Sequence, residues 1–162
     1  MEEIKIFQLA ERYHNLFPKK DMLAIQEDGE MKTYSSSEYV EITNNIAYGF
    51  INLGIKKNDK ICIISSNRPE WSLVDMGINK IGAINTPIYP NITRSEYKYI
   101  IEDCGAKIIF VGSKEIYNRV NGLNEEIECL QEIYSFDQIE NIKNWRDIIQ
   151  MGIKEPQIDT LL

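Results

Sequence analysis

The side chains best suited to chemistry lie in short loops that follow apolar, strand-like runs. The first of these loops, residues 65–71, holds two hydroxyls, an amide and a guanidinium beside the predicted start of a helix. That combination suits an anion, because the first N–H groups of a helix point outward and carry partial positive charge. The candidate ligand contacts of this loop are Ser66, Asn67 and Arg68.

A structural interpretation competes with a ligand site in this loop. Asn67 and Glu70 stand three residues apart around Pro69, which is the spacing of a helix N-terminal cap. Arg68 would then be solvated, and Trp71 would only pack. We favour this interpretation, because capping alone explains the spacing.

The loop after the next strand-like run, residues 85–91, supplies two weaker candidates, Thr86 and Tyr89. Two prolines fix the backbone of this loop, so a rigid turn is its favoured role. A third loop, residues 112–114, is too short and too common in composition to indicate a site.

No complete catalytic motif is present in the sequence. His14 is the single histidine and lies in a predicted helix, so a serine or cysteine nucleophile has no evident imidazole base. The spacing from Gly49 to Gly54 comes nearest to a phosphate-binding loop, but it lies on a predicted helix and continues Ile55-Lys56. We therefore predict neither a catalytic residue nor a metal ligand in this chain.

Hydrophobic periodicity predicts the elements that carry these loops. An amphipathic helix is expected over residues 4–17, followed by a β-hairpin that turns at Asp28-Gly29. Strands and helices then alternate, and capping boxes are predicted at Ser35 with Glu38 and at Thr93 with Glu96. The predicted strands of this part are residues 61–64, 83–89, 107–111 and 132–136, and a last short helix is expected to end at Gly152.

This alternation predicts an α/β fold with three layers, in which helices cover both faces of a mostly parallel sheet. We divide the chain into a helix and hairpin over residues 1–34, repeated βα units over residues 35–152, and a tail over residues 153–162. The tail closes on Leu161-Leu162 with no element to bury them. We therefore expect an interrupted chain, the incomplete N-terminal part of a larger domain.

Charge and composition restrict the classes of partner. A formal net charge of -7 gives the chain a field that repels phosphate backbones, so nucleic acid is not an expected partner. The N-terminus lacks a signal-peptide pattern, and no apolar run approaches the roughly 18 residues of a membrane span, which predicts a cytoplasmic protein. Three cysteines far apart in the sequence, Cys62, Cys104 and Cys129, are predicted to be small buried side chains without a disulfide framework.

Four segments follow one another along the chain, namely Thr33-Tyr34-Ser35-Ser36-Ser37-Glu38-Tyr39, residues 54–71, residues 80–90 and residues 99–111. Their order resembles the beginning of long-chain fatty acid-CoA ligases, which belong to the AMP-binding, adenylate-forming superfamily. Within these segments, Asn67-Arg68-Pro69-Glu70-Trp71 points to the long-chain branch. The resemblance implies a two-step reaction in which ATP converts a fatty acid to an acyl-adenylate and coenzyme A takes the acyl group, with Mg²⁺ assisting the first step.

The family's phosphate loop, acidic motif and C-terminal lysine come later in such enzymes, so the resemblance carries no catalytic residue onto this chain. It implies that the remainder of the same polypeptide and a fatty acid are partners. Peripheral membrane contact and a homodimer are left open. Two alternatives are kept, a stand-alone non-catalytic α/β binding or interaction module and an unrelated doubly wound domain. The second is ranked last, because the strand ends carry hydroxyls rather than the acidic cluster of a response receiver.

Overall fold

The N-terminal segment forms a helix and a hairpin, as the periodicity predicts. The computed structural model describes residues 4–27 and 29–157, so Asp28 of the predicted turn and the closing Leu161-Leu162 lie outside the described residues. A 3-10 turn, Ile6–Gln8, precedes helix α1, Leu9–Leu16. Strands β1, Leu23–Glu27, and β2, Glu30–Tyr34, then pair antiparallel.

The rest of the described chain alternates strands and helices around one parallel sheet. The strands are β3 Lys60–Ile64, β4 Ile84–Ile88, β5 Ala106–Val111 and β6 Glu132–Ser135. The helices are α2 Ser36–Asn52, α3 Pro69–Lys80, α4 Arg94–Cys104, α5 Lys114–Val120, α6 Leu123–Glu126 and α7 Trp145–Lys154. The strand order is β4-β3-β5-β6, and each neighbouring pair is parallel. The predicted α/β class is confirmed.

Side chains of the central strands alternate between two separate cores. On β3, Ile61 and Ile63 point into a core shared with α2, α3 and α7. Cys62 and Ile64 point into a second core shared with α4, α5 and α6. Successive strand residues face opposite sides of a sheet, so the continuous apolar run of β3 reflects burial on both faces. Helices therefore cover both faces, and the fold has the three layers predicted.

Local signals fix the start of α2 and both ends of α4 where the sequence predicted them. The Ser35 side chain accepts from the Glu38 backbone, and the Glu38 carboxylate accepts from the Ser35 N–H at 2.8 Å. Thr93 and Glu96 form the same reciprocal pair at the start of α4. Gly105 ends α4 with a φ of 68°, a left-handed conformation that glycine adopts without a steric penalty.

Gly152 does not end the last helix, contrary to the prediction. Helix α7 continues to Lys154, and a Cβ at Gly152 would lie 1.9 Å from the Asn45 carbonyl oxygen on α2. In the same helix pair, a Cβ at Gly49 would lie 2.2 Å from the Ile148 carbonyl oxygen. Both glycines permit the backbones of α2 and α7 to approach closely, so they are packing residues.

Candidate functional site

The sheet has a topological switch point between β3 and β5. From β3 the chain passes to β4 on one side, then crosses to β5 on the other side of β3. Ligands of open α/β sheets bind beyond the carboxyl ends of the strands at such a switch, where the outgoing loops separate and leave a crevice. The two loops that diverge here begin at Ser65 and Gly112.

A cleft of about 240 Å³ occupies this switch point. We call it the strand-end cleft, and its lining residues are Ile25, Ser65, Ser66, Asn67, Arg68, Gly112, Ser113, Ile116 and Asp137. The structure thus brings together three of the sequence candidates, Ser66, Asn67 and Arg68. Hydroxyl, amide and guanidinium groups on one wall can donate hydrogen bonds to an anionic or carbonyl oxygen.

The floor of the cleft depends on a close approach between its two loops. A Cβ at Gly112 would lie 2.3 Å from Ser65 Oγ and 3.1 Å from Ser65 Cα, so only glycine fits beside Ser65. Ser65 Oγ donates to the Ser66 carbonyl at 2.8 Å, and Ser113 Oγ accepts from the Ile116 N–H at 3.3 Å. These two hydroxyls hold the loops, whereas the exposed Ser66 and Asn67 face solvent.

Arg68 ties together the loops that follow three strands. Its Nε donates to Glu70 Oε2 at 2.8 Å, and its Nη1 donates to Asp137 Oδ1 at 2.8 Å and to the Gly112 carbonyl at 2.9 Å. The guanidinium also lies 5.4 Å from the ring centroid of Phe136. With only 14% of its side chain exposed, Arg68 is not the solvated residue that the structural interpretation expected.

Glu70 is a buried carboxylate rather than a helix cap. The N-cap residue of helix α3 is Arg68, whose side chain makes no capping hydrogen bond, and Pro69 begins the helix. Glu70 is 1% exposed and accepts from Tyr34 Oη at 3.3 Å, and Lys32 Nζ lies 3.6 Å away. The capping prediction for Asn67 and Glu70 is therefore wrong. Proline has no N–H to be capped, and the Glu70 side chain points to the buried cation instead.

Thr86 and Tyr89 do not join the strand-end cleft. Thr86 lies on β4, the edge strand on the far side of β3 from β5, and Tyr89 follows that strand with 84% of its surface exposed. The Tyr89 carbonyl accepts from Tyr97 Oη at 3.3 Å, which holds the loop against α4. Both residues lie away from the switch point, because β4 pairs with the edge of β3 opposite to the edge that pairs with β5.

Several cleft residues were missed by the sequence interpretation. Gly112 and Ser113 were set aside as too short a loop, and Asp137 was not considered. A second cleft of about 460 Å³ adjoins Arg68 on its other side, and it is lined by Lys32, Arg68, Glu70, Phe136, Asp137, Gln138 and Arg146. Asp137 could have been found from the sequence, because it follows the end of the predicted strand β6, and ligands bind beyond the carboxyl ends of such strands. Nothing in the sequence placed Lys32 of the hairpin there.

The ion pair shapes the titration of Glu70. Burial alone would raise the pKa of this carboxyl, but the hydrogen bond from Arg68, a backbone hydrogen bond, and the charges of Arg68 and Lys32 outweigh it. The pKa of Glu70 therefore lies below its ordinary value of 4.5. Hydrogen bonds to Glu70 and Asp137 correspondingly outweigh burial at Arg68 and raise the pKa of its guanidinium.

Acid should remove the stabilisation that Glu70 provides. A carboxylate whose pKa is lower in the folded state stabilises the fold above its unfolded pKa, and this stability is lost as pH falls through the folded pKa. We expect the free energy of unfolding to fall more steeply from about pH 5 to about pH 3 in the wild type than in Glu70→Gln. Urea titrations across this range measure both slopes, and equal slopes would contradict the ionised pair.

The donor set of the cleft does not fit a divalent metal. Among residues 4–27 and 29–157, no three histidine, cysteine or carboxylate side chains come together in a way that could hold a metal ion. Mg²⁺ prefers carboxylate and phosphate oxygens in octahedral geometry, whereas Asp137 is already bonded to Arg68. The cleft can therefore orient a polar ligand group.

Comparison with known proteins identifies the family. A family model described as AMP-binding enzyme matches residues 11–155, which is most of the chain. This chain belongs to the AMP-binding enzyme family. The long-chain-fatty-acid-CoA ligase ACSBG2 of Xenopus laevis is 24% identical over 98% of this chain and 22% of its own length. The ligase FadD15 of Mycobacterium bovis is 26% identical over 65% of this chain and 18% of its own length. The chain thus spans about a fifth of these relatives of the AMP-binding family.

A solved structure supports the same fold. A putative long-chain-fatty-acid CoA ligase from Rhodopseudomonas palustris superposes with a TM-score of 0.74 at 20% identity, over 91% of this chain and 36% of that one. At this identity the likeness is evidence for the fold alone. The predicted family resemblance is confirmed, and the chain corresponds to the N-terminal part of its AMP-binding relatives.

Proposed function

We propose that the complete protein carrying this chain is an AMP-forming long-chain fatty acid-CoA ligase. ATP would convert a fatty acid to an acyl-adenylate with release of pyrophosphate, and coenzyme A would then take the acyl group. The observation that carries the proposal is the family match over residues 11–155, together with curated relatives that are themselves long-chain fatty acid-CoA ligases. No observation favours a stand-alone binding module over this assignment.

The chain's own contribution to the reaction is a wall of the ligand site. The strand-end cleft supports this role, because it lies at the switch point and gathers Ser66, Asn67 and Arg68. These three remain the proposed ligand contacts, while Thr86 and Tyr89 are left out because they lie on the far edge. No side chain of the cleft is a nucleophile activated by a base. ATP, coenzyme A and Mg²⁺ are assigned to the complete ligase, with the metal ligands outside the described residues.

The assignment is tested by product formation. The complete protein, incubated with ATP, Mg²⁺, coenzyme A and saturated fatty acids of increasing length, should give acyl-CoA thioesters detectable by mass spectrometry. Long chains should react faster than acetate or benzoate, and AMP should appear in equal amount to thioester. Product from short or aromatic acids only would contradict the long-chain assignment while leaving the family intact.

We further propose that the protein is cytoplasmic and binds peripherally to anionic membranes through its first helix. No helix in the described part of the chain is long and apolar enough to cross a bilayer. Five large apolar side chains nevertheless cluster exposed along this segment, namely Ile4, Ile6, Leu9, Leu16 and Phe17. The exposed cations beside them are Lys5, Arg12, Lys19 and Lys20. An apolar surface bordered by cations fits an anionic lipid surface, despite a net charge of -7 for the whole chain.

Vesicle sedimentation tests the membrane contact. The protein should sediment with phosphatidylglycerol vesicles and much less with phosphatidylcholine vesicles. Replacing Leu16 and Phe17 with serine should weaken binding at least about tenfold, because each buried apolar side chain contributes about 1.5 to 3 kcal/mol. The matched control replaces Tyr89 and Tyr99, which are also exposed but lie outside this segment, with serine. The surface would instead be assigned to a second copy of the chain if the unchanged protein binds no vesicles and light scattering shows a dimer that is lost when Leu16 and Phe17 are replaced.

A further inference from the structure

Two cysteines that are 42 residues apart in the sequence meet beneath helix α4. Cys62 lies on the central strand β3, and Cys104 is the last residue of α4. Their Sγ atoms are 3.8 Å apart. The sequence indicated three isolated buried cysteines, but Cys62 alone is fully buried, while Cys104 and Cys129 are partly exposed. One cysteine of this pair is therefore partly exposed at the surface, and the other is buried on the central strand of the sheet.

We propose that Cys62 and Cys104 form a reversible disulfide when the protein is oxidised by a small peroxide such as hydrogen peroxide. The sulfurs need to approach by less than 2 Å to reach a bond of about 2.05 Å. Cys104 can make this movement, because it ends a helix and is followed by Gly105, whose φ of 68° marks the turn out of α4. Cys62 stays fixed between β4 and β5, opposite Thr86 and Ile109.

The order of the reaction follows from exposure. Peroxide reaches Cys104 first, since Cys62 has no exposed surface. The Cys104 sulfur attacks one peroxide oxygen, an S–O bond forms, the O–O bond breaks, and one water leaves from the remaining oxygen. Cys104 is then a sulfenic acid. The two electrons it has lost are taken up by the peroxide.

The buried partner completes the bridge. The Cys62 sulfur attacks the Cys104 sulfur, an S–S bond forms, the S–O bond breaks, and the hydroxyl leaves with the Cys62 proton as a second water. Overall, two thiols and one hydrogen peroxide give one disulfide and two waters. Burial and the neighbouring Cys104 and Cys129 raise the pKa of the Cys62 thiol. A protonated thiol attacks more slowly than a thiolate, so we expect the sulfenic acid to be trapped before the bridge closes.

The disulfide would fasten the end of α4 to the central strand. The Cys104 sulfur lies 3.5 Å from the Ile101 carbonyl, which is a contact within α4 itself. The reduced protein therefore holds this part of α4 against β3 through apolar packing. A covalent bridge between residues 62 and 104 restricts the unfolded chain and stabilises the fold. The thermal midpoint should rise by at least about 5 °C after oxidation and return to its starting value after reduction.

Peptide mapping of the complete protein provides the decisive test. After brief treatment with hydrogen peroxide, removal of the peroxide with catalase, and alkylation under denaturing conditions, trypsin should release residues 61–80 joined to residues 99–107. The peptide of residues 120–143, which carries Cys129, should remain alkylated as a free thiol. In urea the three possible pairs among Cys62, Cys104 and Cys129 should instead appear as a mixture, because the pairing depends on the fold.

Variants separate the two chemical steps. Cys62→Ser should stop at a Cys104 sulfenic acid that dimedone traps, and Cys129→Ser, the matched control, should form the bridge at the wild-type rate. Three results would overturn the proposal, namely a bridge through Cys129, a bridge as abundant in urea as in buffer, or oxidation of Cys104 to the sulfinic acid without any bridge. The wild-type map alone decides among them even if a variant fails to fold.

Discussion

Replacing Arg68 with methionine is expected to lower the free energy of unfolding by about 3 kcal/mol, because it leaves an uncompensated buried charge. Glu70 is 1% exposed and, among the described residues, would keep Lys32 as its cationic partner, 3.6 Å away and itself partly exposed. Asp137 is 47% exposed and can return to water. The loss therefore comes from Glu70, and urea unfolding monitored by circular dichroism measures it.

A double-variant cycle distinguishes a charge effect from a packing effect. Glu70→Gln removes the charge and retains an oxygen that can accept from Tyr34, so Arg68→Met with Glu70→Gln should recover at least half of the stability lost by Arg68→Met. Lys98→Met is the control, because its ion pair with Glu126 is exposed on both sides, and it should unfold like the wild type. Additive losses at Arg68 and Glu70 would contradict a coupled buried pair.

The second large effect is expected at Gly152. Alanine there should lower the free energy of unfolding by about 3 kcal/mol, since overpacking costs this much where the neighbour cannot move. The obstruction is the Asn45 carbonyl, 1.9 Å from the position of the new Cβ, so α2 and α7 would have to separate. This prediction opposes the simple expectation from helix propensity, which favours alanine over glycine by about 1 kcal/mol.

Two further variants serve as a parallel test and as a control for the result at Gly152. Gly49→Ala should destabilise in the same way, because its new Cβ would lie 2.2 Å from the Ile148 carbonyl on the facing helix. Ile153→Ala, next to Gly152 but 52% exposed, should change the stability by less than about 0.5 kcal/mol. If Gly152→Ala stabilises the protein, α2 and α7 are not packed as closely as the structure has them.

The strands and the starts of α2 and α4 could be predicted from the sequence because their causes are local. The run of β3 is apolar throughout since both of its faces are buried, and Ser35 with Glu38 cap α2 through contacts three residues apart. The same reasoning failed at Gly152. A glycine that ends a helix and a glycine that admits a neighbouring helix have the same appearance in one sequence, and only the contact with Asn45 separates them.

The candidate site was predicted only in part, because its decisive contacts join residues that are far apart in the sequence. The loop from Ser66 to Arg68 was found from the strand that precedes it. The partners of Arg68 were not found, since Gly112 and Asp137 are 44 and 69 residues away. The strand order β4-β3-β5-β6 decides which loops meet, and alternation of strands and helices does not fix that order. Thr86 was therefore a candidate ligand contact alongside Ser66, although β4 lies on the side of β3 away from the switch point.

The exchange of labelled pyrophosphate into ATP tests the central claim most directly, because it reports the acyl-adenylate step without coenzyme A. We predict exchange that depends on a long-chain fatty acid for the complete protein carrying this chain. The 162 residues alone should show none, since the cleft at Arg68 lacks metal ligands and a catalytic base among the described residues. Exchange by the 162-residue chain alone, or its absence from the complete protein with every fatty acid, would contradict the account.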